Sequence, residues 1–178
     1  MSKTINLGVL GIDHGHIFDM LDEMLKEGCS CNYFWTEGSP LTLDEFSKKY
    51  PQIKRVDNKS DILNDDTIDM ILISSIPKDR ANLSIDAMKA GKDVMVDKPG
   101  CTTLDQLNNL KQTVKDTGKI WSINFSERFH VAAVTKAEEL VAEGKIGKVK
   151  HTIGTGPHRQ GNYERPDWFY DRNSYGGI

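Results

Sequence analysis

The chain has 178 residues, of which 38% are hydrophobic and 28% charged, and its formal net charge is −3. This composition supports a buried core and argues against a disordered chain. The near balance of charge argues against nucleic acid or an acidic membrane surface as a partner. No apolar run approaches the ~20 residues that cross a bilayer. The first residues, MSKTIN, enter a strand without a signal-peptide core, so we expect a cytoplasmic protein.

Strand-like and helix-like patterns alternate over about the first 120 residues. The predicted strands cover residues 5–10, 31–36, 53–56, 69–75, 93–96 and 119–124. The predicted helices lie between them, over 17–28, 41–50, 60–65, 79–90 and 104–118. This alternation predicts a doubly wound parallel sheet of the Rossmann type.

After residue 124 the pattern changes. Residues 131–147 predict a helix with a glycine-rich exit, and 148–159 alternate like one strand of a different sheet. The tail GNYERPDWFYDRNSYGGI is aromatic, charged and rich in turns. We therefore predict a first domain over residues 1–124, then a connecting helix and the incomplete start of a second α/β domain over 125–178.

The three cysteines, Cys29, Cys31 and Cys101, form neither a Cys-x-x-Cys motif nor an even disulfide set. We predict reduced, structural thiols.

The first strand runs into the turn Gly11-Ile12-Asp13-His14-Gly15-His16 ahead of a helix. A glycine turn at a helix N-terminus can cradle an anion, although only one of three fingerprint glycines stands in place. A plain turn with Asp13 as the helix N-cap is the alternative. A metal site at Asp13, His14 and His16 is not predicted, because the two rings should diverge at a helix start and no third strong ligand lies nearby in sequence.

A second motif, Asp97-Lys98-Pro99, follows a buried strand. It should lie at the carboxyl edge of the sheet, where open α/β sheets bind ligands. Lys98 can donate or accept a proton there, and Pro99 can fix the turn through a cis peptide bond. The alternative is an exposed lysine paired with Asp97.

These motifs together resemble a known family. The βαβ start and the segments DMILISSIP, AMKAGKDVMVDKPG, INFSERF, EELVAEGKIGKV and RPDWFYDRNSYGG are similar, in order and spacing, to the glucose–fructose oxidoreductase / inositol 2-dehydrogenase / MocA family. The resemblance covers essentially the whole chain. It implies an NAD(P)-binding Rossmann domain, a second α/β domain, and hydride transfer between a nicotinamide cofactor and a secondary alcohol or carbonyl of a sugar, polyol or similar small molecule. It also implies pairing of second-domain sheets, so a homo-oligomer is a candidate state.

The resemblance also implies roles for individual residues. Lys98 matches the lysine that assists proton transfer. The residues implied in cofactor binding are Gly11, Asp13, His14, Gly15, His16, Thr36, Glu37, Ser74, Ser75, Pro77, Asp97, Lys98, Asn124 and Arg128, with Glu127 in the same segment as Arg128. Those implied in substrate contact are His158, Arg159 and Trp168.

The sequence departs from the family pattern at three places. Asp13 replaces a glycine, and we expect it to turn inward and cap the helix while His14 or His16 faces the phosphates. Thr36 stands where an acid usually grips the ribose; Glu37 follows it and no arginine comes next, which favours NAD over NADP. The family's catalytic Asp-x-x-x-His segment follows a glycine turn that here ends the sequence at Ile178. We therefore expect this chain to bind cofactor but to turn over poorly.

Two further functions stay open at the level of sequence. One is a catalytically silent dinucleotide-binding sensor or regulatory protein. The other is a metal-dependent hydrolase that uses Asp13, His14 and His16. The sequence also leaves open whether the chain is a truncated gene product, a fragment or a piece completed by a partner.

Overall fold

The computed structural model describes residues 4–125, 131–155 and 164–177. The chain divides into two compact units, one of residues 1–124 with 166–178 and the other of residues 125–165. Among the described residues, no helix is long and apolar enough to cross a membrane.

The first unit is built on a sheet of six parallel strands. They are β1 (Asn6–Leu10), β2 (Ser30–Trp35), β3 (Lys54–Arg55), β4 (Met70–Ile73), β5 (Asp93–Asp97) and β6 (Trp121–Asn124). The strand order is β3-β2-β1-β4-β5-β6. The chain order therefore reverses between β1 and β4, which is the switch point at which doubly wound sheets bind their ligands.

Five helices connect the strands. They are α1 (His16–Lys26), α2 (Leu43–Lys49), α3 (Lys59–Leu63), α4 (Pro77–Lys89) and α5 (Leu104–Thr117). Leu7 and Val9 of β1 pack with α1 and α2 in one apolar core, whereas Leu10 packs with α3, α4 and α5 in a second. Because side chains of a strand alternate between faces, these two cores lie on opposite faces of the sheet. The predicted doubly wound Rossmann-type sheet is confirmed.

One helix of the first unit begins two residues earlier than predicted. α4 starts at Pro77 instead of at residue 79. The first residues of a helix have no intrahelical partner for their N–H groups, so a proline costs nothing at this position and its fixed φ suits the helix. Pro77 thus opens the helix directly after the loop that leaves β4.

The second unit departs from prediction at two places. Its helix, α6 (Ala132–Ala142), ends before the predicted residue 147, and Gly144 and Gly147 then take positive φ angles of 74° and 67°. The predicted strand over residues 148–159 is wrong over its described part, since 148–155 form no strand. A strand needs a hydrogen-bonded neighbour, and the described residues of this unit include no strand that could pair with it.

The segment 164–177 adds a 3-10 helix (Asp167–Phe169) and a short helix, α7 (Arg172–Tyr175). After α7, Gly176 has a φ of +92°, and a Cβ atom there would lie 2.6 Å from Cγ2 of Thr102. The end of this segment therefore packs closely on the residues that lead into α5. Residues 166–178 group with residues 1–124, and the division of the whole protein into domains at residue 124 stays a prediction.

Candidate active site

The turn after β1 is fixed between its two neighbouring strands. The Gly11 amide donates to the Trp35 carbonyl at 2.7 Å, and the Gly11 carbonyl accepts from the Ser74 amide at 3.2 Å. Gly11 has a φ of +78°, and a Cβ atom there would lie 2.4 Å from Cβ of Ser75. Only glycine fits this position, both by conformation and by space.

The start of α1 lacks a side-chain cap from Asp13. The N-cap residue is Gly15, with no side-chain capping bond, and the amide of His16 donates to Nδ1 of His14 at 3.3 Å. The predicted cap by Asp13 is wrong because the helix begins two residues too late for that carboxylate to serve as its N-cap. A Cβ atom on Gly15 would meet nothing within 4 Å, so there is room for an anion at this end of the helix.

Asp13 lies near residues at the start of α4. Burial raises the pKa of its carboxyl group to about 6, and the charge of Asp79 raises it further, while the Ile76 amide and the Arg80 charge lower it. Asp13 therefore takes up its proton as the pH falls through about 6. Below that pH its neutral carboxyl group repels a phosphate less than a carboxylate does.

Asp97 is the centre of a polar cluster at the end of β5. It is fully buried, and its oxygens lie 2.7 Å from Nδ1 of His16, 3.3 Å from Nδ1 of His14 and 2.9 Å from Nη2 of Arg80. The Ser74 hydroxyl approaches the same carboxylate at 3.5 Å. Burial alone raises the pKa of Asp97, but the hydrogen bonds from both histidines and the charge of Arg80 outweigh it and hold the pKa below its usual range. Asp97 is therefore an ionised carboxylate.

The two histidine rings converge on this carboxylate. Their centroids are 4.2 Å apart in a T-shaped arrangement, and each side chain is 26% exposed. The expectation that the rings diverge is wrong, whereas the expectation that His14 or His16 faces the phosphates stays a prediction. The rings converge because the end of β5 places the buried Asp97 carboxylate beside the turn. The ring of Trp168 lies 6.5 Å from that of His14, which brings a predicted substrate residue to the same cluster.

Arg80 is the functional residue that sequence reasoning missed. Its side chain is 1% exposed. Besides the Asp97 carboxylate, it donates from Nε to the Ser75 carbonyl at 2.7 Å and from Nη1 to the carbonyls of Asp97 and Lys98 at 3.1 and 2.7 Å. A signal was present in the sequence, because Arg80 shares a helix face with Ser84, Ala87 and Met88, and a buried arginine needs an acidic partner.

Lys98 follows the cluster directly. It is half-buried, and the Lys98–Pro99 peptide bond is cis, as the sequence suggested. The alternative in which an exposed Lys98 simply pairs with Asp97 is wrong, since Asp97 is buried and pairs with Arg80 and the histidines. A Cβ atom on Gly100 would lie 2.6 Å from Cζ2 of Trp121, so the chain that leaves this motif runs against the β6 side chains.

The end of β2 forms the other side of the switch point. Thr36 is 2% exposed, and its hydroxyl is buried with no hydrogen-bond partner among the described residues. Glu37 is exposed. Arg55 of β3 donates from Nη2 to the carbonyls of Thr36 and Gly38 at 2.9 and 2.7 Å, and so fixes the loop after β2.

The structure thus gathers most of the predicted site residues at the carboxyl edge of the sheet. Asn124 lies beside Asp97 in the register of β5 and β6. Four predicted residues lie outside the described residues: Glu127, Arg128, His158 and Arg159.

Comparisons with known proteins agree with this geometry. The family model described as an oxidoreductase family with an NAD-binding Rossmann fold matches residues 40–125. The oxidoreductase YdgJ of Escherichia coli is 30% identical over 157 residues, covering 85% of this chain and 42% of that protein. A crystal structure of a proposed oxidoreductase from Erwinia carotovora atroseptica has 36% identity and a TM-score of 0.93, and the match covers 98% of this chain and 52% of that one. These matches support a member of the glucose–fructose oxidoreductase / inositol 2-dehydrogenase / MocA family.

Another relative of this chain has a reaction assigned to it. It is the NADP(+)-dependent scyllo-inositol 2-dehydrogenase IolW of Bacillus subtilis, which is 24% identical over 149 residues, 80% of this chain and 39% of that protein. The chain spans about half the length of the relatives it matches, or less.

The residues present fit the dinucleotide of this family. The start of α1 is open around Gly15, and the buried Thr36 hydroxyl has no hydrogen-bond partner among the described residues. These two features lie where a doubly wound sheet receives the pyrophosphate and a ribose. Such a cofactor would supply the hydride chemistry, and this chain would hold it.

Proposed function

We propose that the protein, at its full length, is an NAD(P)-dependent oxidoreductase that transfers hydride between the cofactor and a secondary alcohol or carbonyl of a sugar or polyol. One observation supports this most directly. The glycine turn after β1 and the Asp97-Lys98 end of β5 are tied together by His14, His16 and Ser74 at one edge of the sheet. A dinucleotide turn and a proton-transfer lysine must be neighbours for this reaction.

Each group has a role in this proposal. The turn 11–16 holds the pyrophosphate, the Thr36 hydroxyl binds a ribose hydroxyl, and the segment from Ser74 to Pro77 lines the cofactor. Asn124, at the end of β6 beside Asp97, contacts the nicotinamide, and the family resemblance assigns the same role to Arg128, which lies outside the described residues. Lys98 moves the proton to or from the substrate oxygen. Trp168, beside His14, is on the substrate side. The family resemblance assigns substrate contact also to His158 and Arg159, which lie outside the described residues.

We propose NAD as the preferred cofactor. Glu37 directly follows Thr36, the residue proposed to bind the ribose. Its exposed carboxylate would repel the 2′-phosphate of NADP. Among the described residues, Arg55 is the cation bound to the loop after β2, and its guanidinium is bound to backbone carbonyls of that loop. NADH should therefore bind more tightly than NADPH, and tighter binding of NADPH would contradict this preference.

The catalytic role of Lys98 is tested by its replacement with alanine. Because the chain spans about half the length of its relatives or less, the kinetics belong in a full-length relative that carries the same Asp-Lys-Pro sequence, assayed on inositols and aldoses. We expect the alanine variant to lose roughly 10²–10⁴-fold in kcat while its affinity for NADH changes little. An exposed lysine of the helix after that motif, at the position of Lys111, is the control. Equal kinetics of the alanine variant and the parent enzyme would remove Lys98 from the mechanism.

A further inference from the structure

We propose that His14, His16 and Asp97 form a binding site for a divalent transition-metal ion of the Zn²⁺ type. Each residue offers one ligand atom, and these atoms all lie within 4.8 Å of one another. Two imidazole nitrogens and one carboxylate oxygen form a donor set that suits Zn²⁺ and its first-row neighbours.

The distances need little change to accept an ion. Nδ1 of His16 lies 2.7 Å from Oδ1 of Asp97, and the ligand atoms of all three residues lie within 4.8 Å of one another. Bonds of about 2.0–2.2 Å from Zn²⁺ to nitrogen and oxygen place neighbouring ligand atoms of a tetrahedral site about 3.3–3.5 Å apart. A small widening between His16 and Asp97, with an adjustment of the partly exposed His14 ring, therefore gives the required spacing.

The carboxylate is held by partners that leave one oxygen for the ion. Arg80 binds Oδ2 at 2.9 Å, and the Ser74 hydroxyl approaches the same oxygen at 3.5 Å. Oδ1 has His16 as its hydrogen-bond partner. Outer partners of this kind orient a metal ligand and tune its affinity. Asp97 can thus bind an ion through Oδ1 while its ion pair with Arg80 persists.

The site has the character of a catalytic metal centre. Three protein ligands leave one or more coordination positions open to water or to an oxygen of a small molecule. Both histidine side chains are 26% exposed, so an ion can reach them from solvent. Asp97 stands 81 residues from His16 in the chain, which is why the histidine spacing alone does not predict a third ligand.

Metal titration of the chain, after dialysis against a chelator, tests the proposal. Co²⁺ is followed by visible absorption and Zn²⁺ by calorimetry. We expect one equivalent to bind and to give d–d bands without a thiolate charge-transfer band, because no cysteine belongs to the cluster. His14→Gln and His16→Gln should each weaken binding by at least the ~10–100-fold loss typical of removing an outer partner. His151→Gln, at an exposed histidine of the other unit, should bind as the wild type does.

Three results would overturn the site. These are no absorption band and no heat in the wild type, unchanged binding in the His14→Gln/His16→Gln double variant, or a thiolate band. A glutamine variant that fails to give a cooperative thermal melt by circular dichroism is set aside, and the wild-type titration then decides. Zn²⁺ should also raise the melting temperature of the wild type and leave that of the folded double variant unchanged.

Discussion

At the scale of single residues, Arg80 and Asp97 form the pair on which the candidate site depends. Both are almost fully buried, and the guanidinium also holds the backbone at the ends of β4 and β5. Sequence reasoning identified Asp97 and Lys98 because their motif follows a buried strand. It missed Arg80 because the partner of a buried arginine is fixed only when two distant elements pack.

Replacing Arg80 with methionine should destabilise the fold by about 3–5 kcal/mol, because it leaves the buried Asp97 carboxylate without its cation. Urea denaturation measures the loss. Arg55→Met, at an exposed arginine that binds two carbonyls, should cost clearly less. The Arg80→Met/Asp97→Asn double variant should recover part of the loss, since no unpaired buried charge remains. Equal stability of Arg80→Met and the wild type would show that the pair contributes little.

Asp13 gives a dependence of stability on pH. Its pKa rises from 3.8 to about 6 on folding, so its contribution to stability is fully present below the unfolded pKa and is lost as the pH rises through about 6. Asp13→Asn should therefore be more stable than the wild type above about pH 7, by about 1–3 kcal/mol, with the gap closing below about pH 4. Denaturation at several pH values checks this. Asp57→Asn, at an exposed carboxylate, is the control, and a gap independent of pH would contradict the account.

At the scale of elements, the turn between β1 and α1 shows what spacing can and cannot predict. The pattern of strand, glycine and helix located the turn correctly. It could not show that Gly15 instead of Asp13 precedes the helix, since that depends on where the first helical bond forms. The strand predicted at 148–159 is absent over its described part, residues 148–155, for a related reason. Alternation describes one strand and not its neighbour.

Two glycines of this turn make a matched pair for mutation. Gly11→Ala should cost more than about 2 kcal/mol, because it combines a φ of +78° with a 2.4 Å approach to Ser75. Gly15→Ala should change stability by about 0.5 kcal/mol or less, because Gly15 has a φ of −61° and open space around it. Thermal and urea unfolding compare the two. Similar losses in both variants would show that the turn is not clamped as described.

At the scale of the whole molecule, the fold class and the resemblance to an oxidoreductase family were the most predictable features. The alternation of strand and helix patterns predicted a doubly wound sheet. The motif at the end of β5 predicted a site at the carboxyl edge of that sheet. The meeting of His14, His16 and Asp97 was not predictable, because it requires the order β1-β4-β5 and the register of those strands. The same order brings the glycine turn beside Lys98.

The central claim is that this edge of the sheet binds a nicotinamide dinucleotide. Titration of the purified 178-residue chain with NADH, followed by nicotinamide fluorescence, tests it most directly, with NADPH titrated in parallel. We predict saturable binding of NADH with a Kd below about 1 mM, within the usual range for enzyme ligands, weaker binding of NADPH, and loss of binding in Gly11→Ala. No binding of either dinucleotide at about millimolar concentration would contradict the account.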